Sequence, residues 1–306
     1  MPAHTEPVPT GVIHDIGYRG YAGERLGRGY VARSLFLHSM RGAYGLGRSA
    51  RSKVLPMLLF GVMCVPALVL AIISVVQAGL SEPLLPYTRY AVVLQAALTI
   101  FLAAQAPQSV SRDLRFKTVP LYFSRPLERV DYVAAKCAAL TAALFVLLAV
   151  SLLIMYAGAL LGGFSFATQI ADLAKGLAGA ALFSVVLAGI GLVIASLTGR
   201  RGFGVAGIIT VLALSYAVVS SVQGALAFSG PDGGAVNSAD TAAWVGLFSP
   251  ITLVDGVQVW ALGAETSSVV GPPDGLGGAV FLLVILALAG ACFGLLMLRY
   301  RKVPAS

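Results

Sequence analysis

The sequence predicts an all-α polytopic membrane protein with six transmembrane helices. Hydrophobic residues make up 58% of the 306 positions and charged residues only 11%, and the mean hydropathy is +0.88. Both values lie outside the usual balance of soluble domains. The net charge of +8 therefore raises the question of where the basic residues lie relative to the membrane, and we expect no nucleic acid partner.

Six apolar stretches account for the predicted spans. A helix needs roughly 20 apolar residues to cross a hydrocarbon core of about 30 Å, and none of the six contains Asp, Glu, Lys or Arg. The second is short, and Pro107 is expected to end or bend it, whereas Pro66 is expected to kink the first. The stretches are residues 54–76, 90–106, 137–161, 177–197, 203–228 and 279–298.

The region before the first span divides into two parts. Residues 1–28 are rich in Gly and Pro and lack the basic start and apolar run of a signal peptide, so we expect a cytoplasmic arm. A helical pattern follows, in which Phe36 and Tyr44 lie on one face and Arg41 on another. Residues 29–52 are therefore predicted to form an amphipathic elbow helix at the cytoplasmic membrane surface.

The distribution of Lys and Arg predicts the orientation. All but two of the 21 lie in the N-terminal region, the loop after the second span, the turn after the fourth or the C-terminal tail; the exceptions are Arg89 and Lys175. These basic segments share one side only if the number of spans is even, and the positive-inside rule makes that side cytoplasmic. We predict a multi-pass protein of the inner (cytoplasmic) membrane, with residues 53–299 as its transmembrane domain and both termini, including the tail 300–306, in the cytoplasm.

The predicted extracellular loop 229–278 is apolar enough in its middle to suggest a seventh span. Pro250 interrupts that stretch, Asp255 would lie in lipid, and an odd number of spans would place the basic tail outside. We therefore expect short outer-leaflet helices, re-entrant or only interfacial, between spans five and six. Trp244 and Trp260 would lie near the headgroups.

The sequence contains no pattern typical of a catalytic, metal or nucleotide site. It has no GxxxxGK[ST] phosphate loop, and its three His and three Cys residues are scattered. The uncharged spans also lack the buried carboxylate that ion-driven carriers use. We predict no catalytic residue, metal or cofactor on this chain, and expect energy for any transport to come from another subunit.

A polar loop, residues 108–136, separates spans two and three. It carries nine of the 34 charged residues, whereas the spans on either side carry none. Ser109 or Ser111 can cap a short helix that Pro120 stops, and Pro126 can start the next helix. The charges either enforce topology alone or bind a soluble partner.

This loop resembles that of the ABC-2 type permeases, the membrane subunits of ABC transporters. Those proteins carry R-E-x-x-x-G-T-L after the second span, then P-x-x-R-x-E and a Lys that enters the third. The elbow, the six spans and the outer-leaflet helices extend the resemblance to most of the chain. The corresponding residues here are Arg112, Asp113, Thr118, Val119, Pro126, Arg129, Asp131 and Lys136, with Lys117 in place of the glycine.

The resemblance implies that residues 108–136 form a coupling loop that fits a groove on an ATPase subunit, and that two permeases enclose the path. The implied partners are two ABC ATPase subunits, which would bind ATP and Mg, a second copy of this chain or a homologous permease, and membrane lipid. Charged residues at such an interface can make charge-assisted hydrogen bonds. The implied coupling residues are Arg112, Asp113, Arg115, Thr118, Pro126, Arg129 and Asp131.

Polar residues on spans two and five are candidates for the translocation path, because the resemblance implies that these spans face the dimer centre. Gln95 and Thr99 share one helix face, and Tyr216, Ser220 and Gln223 share another. The same side chains could instead hold packed helices together.

Two pairs of glycines could also bring helices close together. Gly158 and Gly162 lie one turn apart at the end of the third span, and Gly290 and Gly294 lie one turn apart in the sixth. Such spacing permits close backbone approach. In a chain so rich in Gly and Ala this signal is weak.

Together these observations predict an exporting permease driven by ATP hydrolysis on a separate subunit. Export is expected because the family consists mostly of exporters. Two alternatives remain: a membrane anchor or assembly factor that holds a soluble partner through the same loop, and an ion-coupled secondary transporter, which the uncharged spans disfavour. The polar residues do not select a substrate among drugs, peptides, lipids and glycans.

Overall fold

The computed structural model describes residues 23, 26–47, 49–77, 82–116, 122, 127–228 and 235–301, with the backbone alone at 112, 228 and 235–239. All regular structure in these ranges is helical. Most of the predicted N-terminal arm and C-terminal tail lies outside the described residues. The α-helices are α1 Arg28–Ala43, α2 Ala50–Val76, α3 Tyr90–Val93, α4 Gln95–Ser109, α5 Ser111–Arg115, α6 Arg129–Leu161, α7 Phe166–Leu197, α8 Arg201–Phe228, α9 Ala235–Val245, α10 Pro250–Leu262 and α11 Gly277–Arg301.

Five helices, α2, α6, α7, α8 and α11, are long and apolar enough to cross a membrane. The chain is therefore a membrane protein, and these helices contain the first, third, fourth, fifth and sixth predicted spans. Two of them begin well before their apolar stretches: α6 at Arg129, close to the helix start expected at Pro126, and α7 at Phe166. The sequence marks where apolar residues begin, whereas the helical backbone continues into the polar flank.

The second predicted span consists of α3 and α4, with a distortion at Leu94 (φ −100°, ψ 22°). Backbone hydrogen bonds continue across it, from Leu94 N–H to the Tyr90 carbonyl and from Leu98 N–H to the Leu94 carbonyl. Pro107 lies inside α4 and does not end it. The helix continues past this proline because only one N–H is lost, and Val110 N–H still bonds to the Ala106 carbonyl at 3.2 Å.

Pro66 lies inside the continuous helix α2, where a proline leaves nearby carbonyls without their helical partner. The Met63 carbonyl, one turn earlier, accepts hydrogen bonds from the Ser151 hydroxyl at 3.2 Å and from the Tyr90 hydroxyl. These bonds from neighbouring helices reach the carbonyl next to that of Val62, which is the one that loses its N–H donor to Pro66.

Contacts between helices establish their directions. α2 runs parallel to α6, since Ala71 meets Gly158 and Ser74 meets Gly162. A Cβ at Gly158 would lie 2.3 Å from the Ala71 Cβ, so the expected close approach at this glycine pair is confirmed. Gly290 and Gly294 differ: a Cβ at either would meet no described atom within 4 Å.

The remaining long helices alternate in direction. α4 is parallel to α7, because Leu102 meets Gly191 and the Ser111 hydroxyl donates to the Ala195 carbonyl at 2.7 Å. α8 is antiparallel to α4, with Gly204 against Pro107. α11 is parallel to α7, where Arg299 Nε donates to the Ser196 carbonyl at 3.3 Å.

The alternation brings the starts of α6 and α8 to the same end of the bundle as the ends of α4, α7 and α11. We call this the basic end. The other end carries most of the described acidic residues, including Asp172, Asp255 and Asp274. The basic end carries Arg28, Arg115, Arg129, Lys136, Arg200, Arg201, Arg299 and Arg301.

The predicted elbow segment is shorter in the structure. α1 ends at Ala43 and is followed by a turn in which Gly45 and Gly47 adopt φ of 69° and 81°, so residues 50–52 already belong to α2. A Cβ at Gly45 would lie 2.5 Å from the Ser52 carbonyl oxygen, which explains why this reversal needs glycine.

At the other end, the apolar stretch that suggested a seventh span is divided. The 3₁₀ turn Gly246–Phe248 separates α9 from α10, and Pro250 begins α10 after Ser249, whose hydroxyl accepts from Ile251 N–H at 3.3 Å. Asp255 is buried in protein, accepting from Ser267 N–H, Ser268 N–H and the Ser268 hydroxyl at 2.7–3.0 Å. Its carboxylate thus has several hydrogen-bond donors although it lies on an apolar helix.

Candidate functional site

A buried polar cluster joins the short helix α5 to α6 at the basic end. The Asp113 carboxylate accepts a hydrogen bond from the Tyr132 hydroxyl at 2.7 Å and pairs with the Lys136 ammonium at 2.9 Å. Lys136 also donates to the Ser109 carbonyl at 2.9 Å. We call Ser109, Asp113, Tyr132 and Lys136 the Asp113 cluster. It connects the end of α4, all of α5 and the first turns of α6.

Aromatic contacts extend this cluster to α11. The ring of Tyr132 lies 5.0 Å from that of Tyr300, the penultimate residue of α11, at an interplanar angle of 60°. Tyr122 lies 5.5 Å from Tyr132 on another side. Tilted pairs at these distances are favourable beyond the area that they bury. A displacement of α5 would therefore reach both α6 and α11.

Two predicted coupling residues thus have partners within the chain. Asp113 faces Lys136. Asp131 pairs with Arg28 through two hydrogen bonds of 2.5 and 2.9 Å and accepts from Glu128 N–H at 3.1 Å as part of a capping box. The hydrogen bond with Asp131 raises the pKa of the Arg28 guanidinium above its ordinary value, so this cation stays charged.

Residues at or next to both ends of α1 contact α6. Arg28, at the start, contacts Glu128 and Asp131. Beyond the end, the Tyr44 hydroxyl donates to the Ala143 carbonyl at 2.6 Å, and burial raises the pKa of Tyr44 well above its ordinary value. α1 therefore runs beside the first part of α6. The role of Arg28 was missed from sequence because its partners lie about a hundred positions away.

The tip of α5 is one described part of the predicted coupling loop that faces outward. Arg115 and Phe116 are exposed, and the Arg115 guanidinium lies 5.8 Å from the Phe116 ring centre. Phe116 was not among the predicted residues, although an exposed aromatic beside an arginine is typical of interface anchors. Arg129 is half-buried at the start of α6. The Arg112 side chain, Lys117, Thr118 and Pro126 lie outside what the structure describes.

Three of the five path candidates lie together. Gln95, Thr99 and Tyr216 line a groove of about 310 Å³ between α4 and α8, whose other walls are aliphatic. The Gln95 Oε1 atom is buried there without a hydrogen-bond partner in the described chain. The Ser220 hydroxyl donates a hydrogen bond to the Tyr216 carbonyl at 2.5 Å.

Gln223 lies elsewhere. Its side chain is buried, and Nε2 donates to the Ala242 carbonyl of α9 at 3.1 Å. For this residue the structure shows the alternative role considered above, a hydrogen bond between packed helices. The shared helix face was identified correctly, but α9 covers its outer end.

Among the five long helices, α8 has the smallest buried share of residues in its apolar stretch. That share is 17%, against 22% for α11 and 56% for α7. Many of the exposed side chains of α8, such as Val211, Leu214 and Val218, are aliphatic. This face and the adjoining groove thus have an apolar surface that suits lipid or another membrane helix.

Among the described residues, no group of three His, Cys, Asp or Glu side chains could hold a metal ion. Comparison of the chain with protein-family models and with characterised proteins gave no match. The resemblance to ABC-2 type permeases therefore stays a hypothesis that depends on the residues and contacts described above.

Proposed function

We propose that this chain is the membrane subunit of an ABC transporter of the ABC-2 type, which exports a substrate across the inner membrane by using ATP hydrolysis on a separate subunit. The observation that carries the proposal is the construction of α5. Its tip presents Arg115 and Phe116 to the outside, while its middle is joined to α6 through Asp113 and Lys136. An element built in this way can receive a displacement from a partner and pass it to long helices.

The helix directions support the six-span topology. Residues 90–109 of α3 and α4 would cover about 30 Å at the usual helical rise of about 1.5 Å per residue, enough for a second crossing. With that crossing the basic end is cytoplasmic under the positive-inside rule, and so are both termini. α1 then lies near the cytoplasmic surface as an elbow, and α9 and α10 lie in the outer leaflet.

The exposed face of α8 supports a two-permease assembly. A second copy, or a homologous permease, would cover this face and turn the groove at Gln95, Thr99 and Tyr216 into part of an enclosed path. The groove is mostly aliphatic with a few polar groups, which suits an amphipathic substrate better than a highly charged one. Two ATPase subunits would bind at the two α5 tips and supply the ATP and Mg sites.

Purification from native membranes in mild detergent tests this proposal. We expect the wild-type chain to retain a P-loop ATPase and a stoichiometry of two permeases to two ATPases. Phe116→Ala should release the ATPase because it removes the exposed aromatic of α5. Phe248→Ala is the matched control, since Phe248 is another exposed phenylalanine, after α9.

Two results would count against the proposal. If Phe116→Ala retains the ATPase as well as Phe248→Ala does, the tip of α5 is not the docking site. If the retained protein has no nucleotide-binding activity, the chain is an anchor for another soluble partner.

A further inference from the structure

A second cavity, separate from the groove on α4 and α8, lies at the basic end between α1, the end of α4 and the start of α6. It has a volume of about 250 Å³, enough for several water molecules or one small polar group. Its polar lining includes Ser39, Gln105, Asp113 and Lys136, with His38 and Phe116 also contributing to its wall. The proposed function uses Asp113, Lys136 and Phe116 of this wall, but it assigns no ligand to the cavity itself.

In the proposed six-span topology, the cavity lies at the level of lipid headgroups. Gln105 belongs to the last apolar turn of the second predicted span, and Lys136 immediately precedes the third. Polar side chains at such boundaries lie where hydrocarbon gives way to the interface. A ligand held here would therefore be at the height of phosphodiester groups in the leaflet at the basic end.

Two side chains in the wall lack partners. Gln105 is only 2% exposed, and its Nε2 atom has no hydrogen-bond partner in the described chain. The Ser39 hydroxyl oxygen is likewise buried without a partner there. Buried polar groups are normally satisfied, because leaving one unpaired is costly. An amide N–H₂ that needs an acceptor, beside a hydroxyl, calls for a ligand with acceptor oxygens.

The charges in the wall select among such ligands. Lys136 supplies one positive charge and Asp113, 2.9 Å away, supplies one negative charge. A ligand with a net negative charge would be attracted by one and repelled by the other. A zwitterion can place its phosphate towards Lys136 and Gln105 and its ammonium towards Asp113.

We propose that this cavity binds the headgroup of a zwitterionic phospholipid, namely phosphatidylethanolamine. The phosphodiester oxygens accept hydrogen bonds from Gln105, Ser39 and Lys136, and the ethanolamine ammonium faces Asp113. Because Asp113 and Lys136 also join α5 to α6, a bound lipid would stabilise the arrangement of α1, α4 and α6 around them.

Thermal unfolding of the full chain in detergent, together with native mass spectrometry, tests this proposal. The probes are phosphatidylethanolamine, phosphatidylglycerol, water-soluble glycerophosphoethanolamine and inorganic phosphate. We expect phosphatidylethanolamine to raise the unfolding temperature and to remain bound as a single adduct. The other three probes should have a much smaller effect, since they lack either the matching charges or the acyl chains.

Gln105→Leu removes the unpaired donor at similar volume. We expect it to weaken phosphatidylethanolamine binding by about tenfold or more, without lowering the unfolding temperature of the lipid-free protein. Gln258→Leu is the matched control: Gln258 is buried on α10, and neither polar atom of its amide has a partner in the described chain. This variant should bind the lipid as the wild type does. Ser39→Ala provides a second test should Gln105→Leu not fold.

Three outcomes would overturn the proposal. The first is a wild-type lipid response in both Gln105→Leu and Ser39→Ala. The second is equal stabilisation by phosphatidylglycerol, which would contradict the selection by charge. The third is saturation by inorganic phosphate or glycerophosphoethanolamine at similar concentrations, which would identify a site for soluble phosphate compounds rather than for lipid.

Discussion

The ammonium of Lys136 lies 2.9 Å from the Asp113 carboxylate, and the two side chains are only 8% and 17% exposed. This pair connects a five-residue helix, whose tip is open to a partner, with the 33-residue helix α6. A charge pair in this setting depends strongly on both members, because each one compensates the burial of the other.

Removing one member of the pair should therefore cost more than removing both. We expect Asp113→Ala to lower the free energy of unfolding by about 3 kcal/mol, since it leaves Lys136 buried without its counter-charge. The double variant Asp113→Ala with Lys136→Met should recover most of that loss. Unfolding in SDS measures the double-mutant cycle, and simple addition of the two single effects would contradict the pairing.

The Gly158 contact predicts a difference between two glycines of similar sequence context. Gly158→Ala should destabilise the protein by about 1–3 kcal/mol, because the new methyl would overlap Ala71 across the interface of α2 and α6. Gly290→Ala should be neutral or stabilising by up to about 1 kcal/mol, as no described atom is near and alanine favours the helix. Thermal unfolding of both variants in one detergent compares them, and equal effects would refute the close approach.

The exposed face of α8 predicts where two permeases meet. In a background without Cys64, Cys137 and Cys292, Leu214→Cys should form a covalent dimer in native membranes upon mild oxidation. Leu283→Cys provides the control, because Leu283 is similarly exposed but lies on α11. A denaturing gel detects the covalent dimer. A dimer formed by Leu283→Cys but not by Leu214→Cys would place the interface on α11 and contradict this prediction.

The hydrogen bonds that Asp255 accepts predict that this residue orders the loop after α10. Asp255→Ala should leave the half-buried N–H groups of Ser267 and Ser268 without their acceptor, at a cost of about 1–3 kcal/mol. We expect faster cleavage of residues 263–271 by an added protease, on the side opposite to the basic end. A cleavage rate equal to that of the wild type would show that these hydrogen bonds do not hold the loop.

The sequence predicted the long helices well because the absence of charge is a direct requirement of the hydrocarbon. Pro126 indicated a helix start close to Arg129, where α6 begins, whereas nothing indicated that α7 begins at Phe166, since the membrane does not determine where a helix begins in water. The distortion at Leu94 was also missed, because neither glycine nor proline marks it. Pro107, which did suggest an end, lies within α4 because one lost N–H does not stop the helix.

Helix periodicity predicted which side chains share a face, and it did not predict what those side chains contact. Gln95, Thr99 and Tyr216 line one groove, but Gln223 is turned to α9. Spacing gives the face of a helix and not the neighbour that covers it. Asp113 illustrates the same limit: the motif identified it as a charged residue of the loop, and only the fold shows that Lys136 and Tyr132 enclose it.

The most direct test of the central claim measures binding and movement separately in Asp113→Asn. Spin labels at position 214 of both permeases would report the distance across the dimer with and without ATP, and co-purification would report ATPase binding. We predict wild-type ATPase binding, because Arg115 and Phe116 are unchanged, together with loss of most of the ATP-dependent distance change. An ATP-dependent change as large as that of the wild type would contradict the role of the Asp113–Lys136 pair in transmitting motion to the helices.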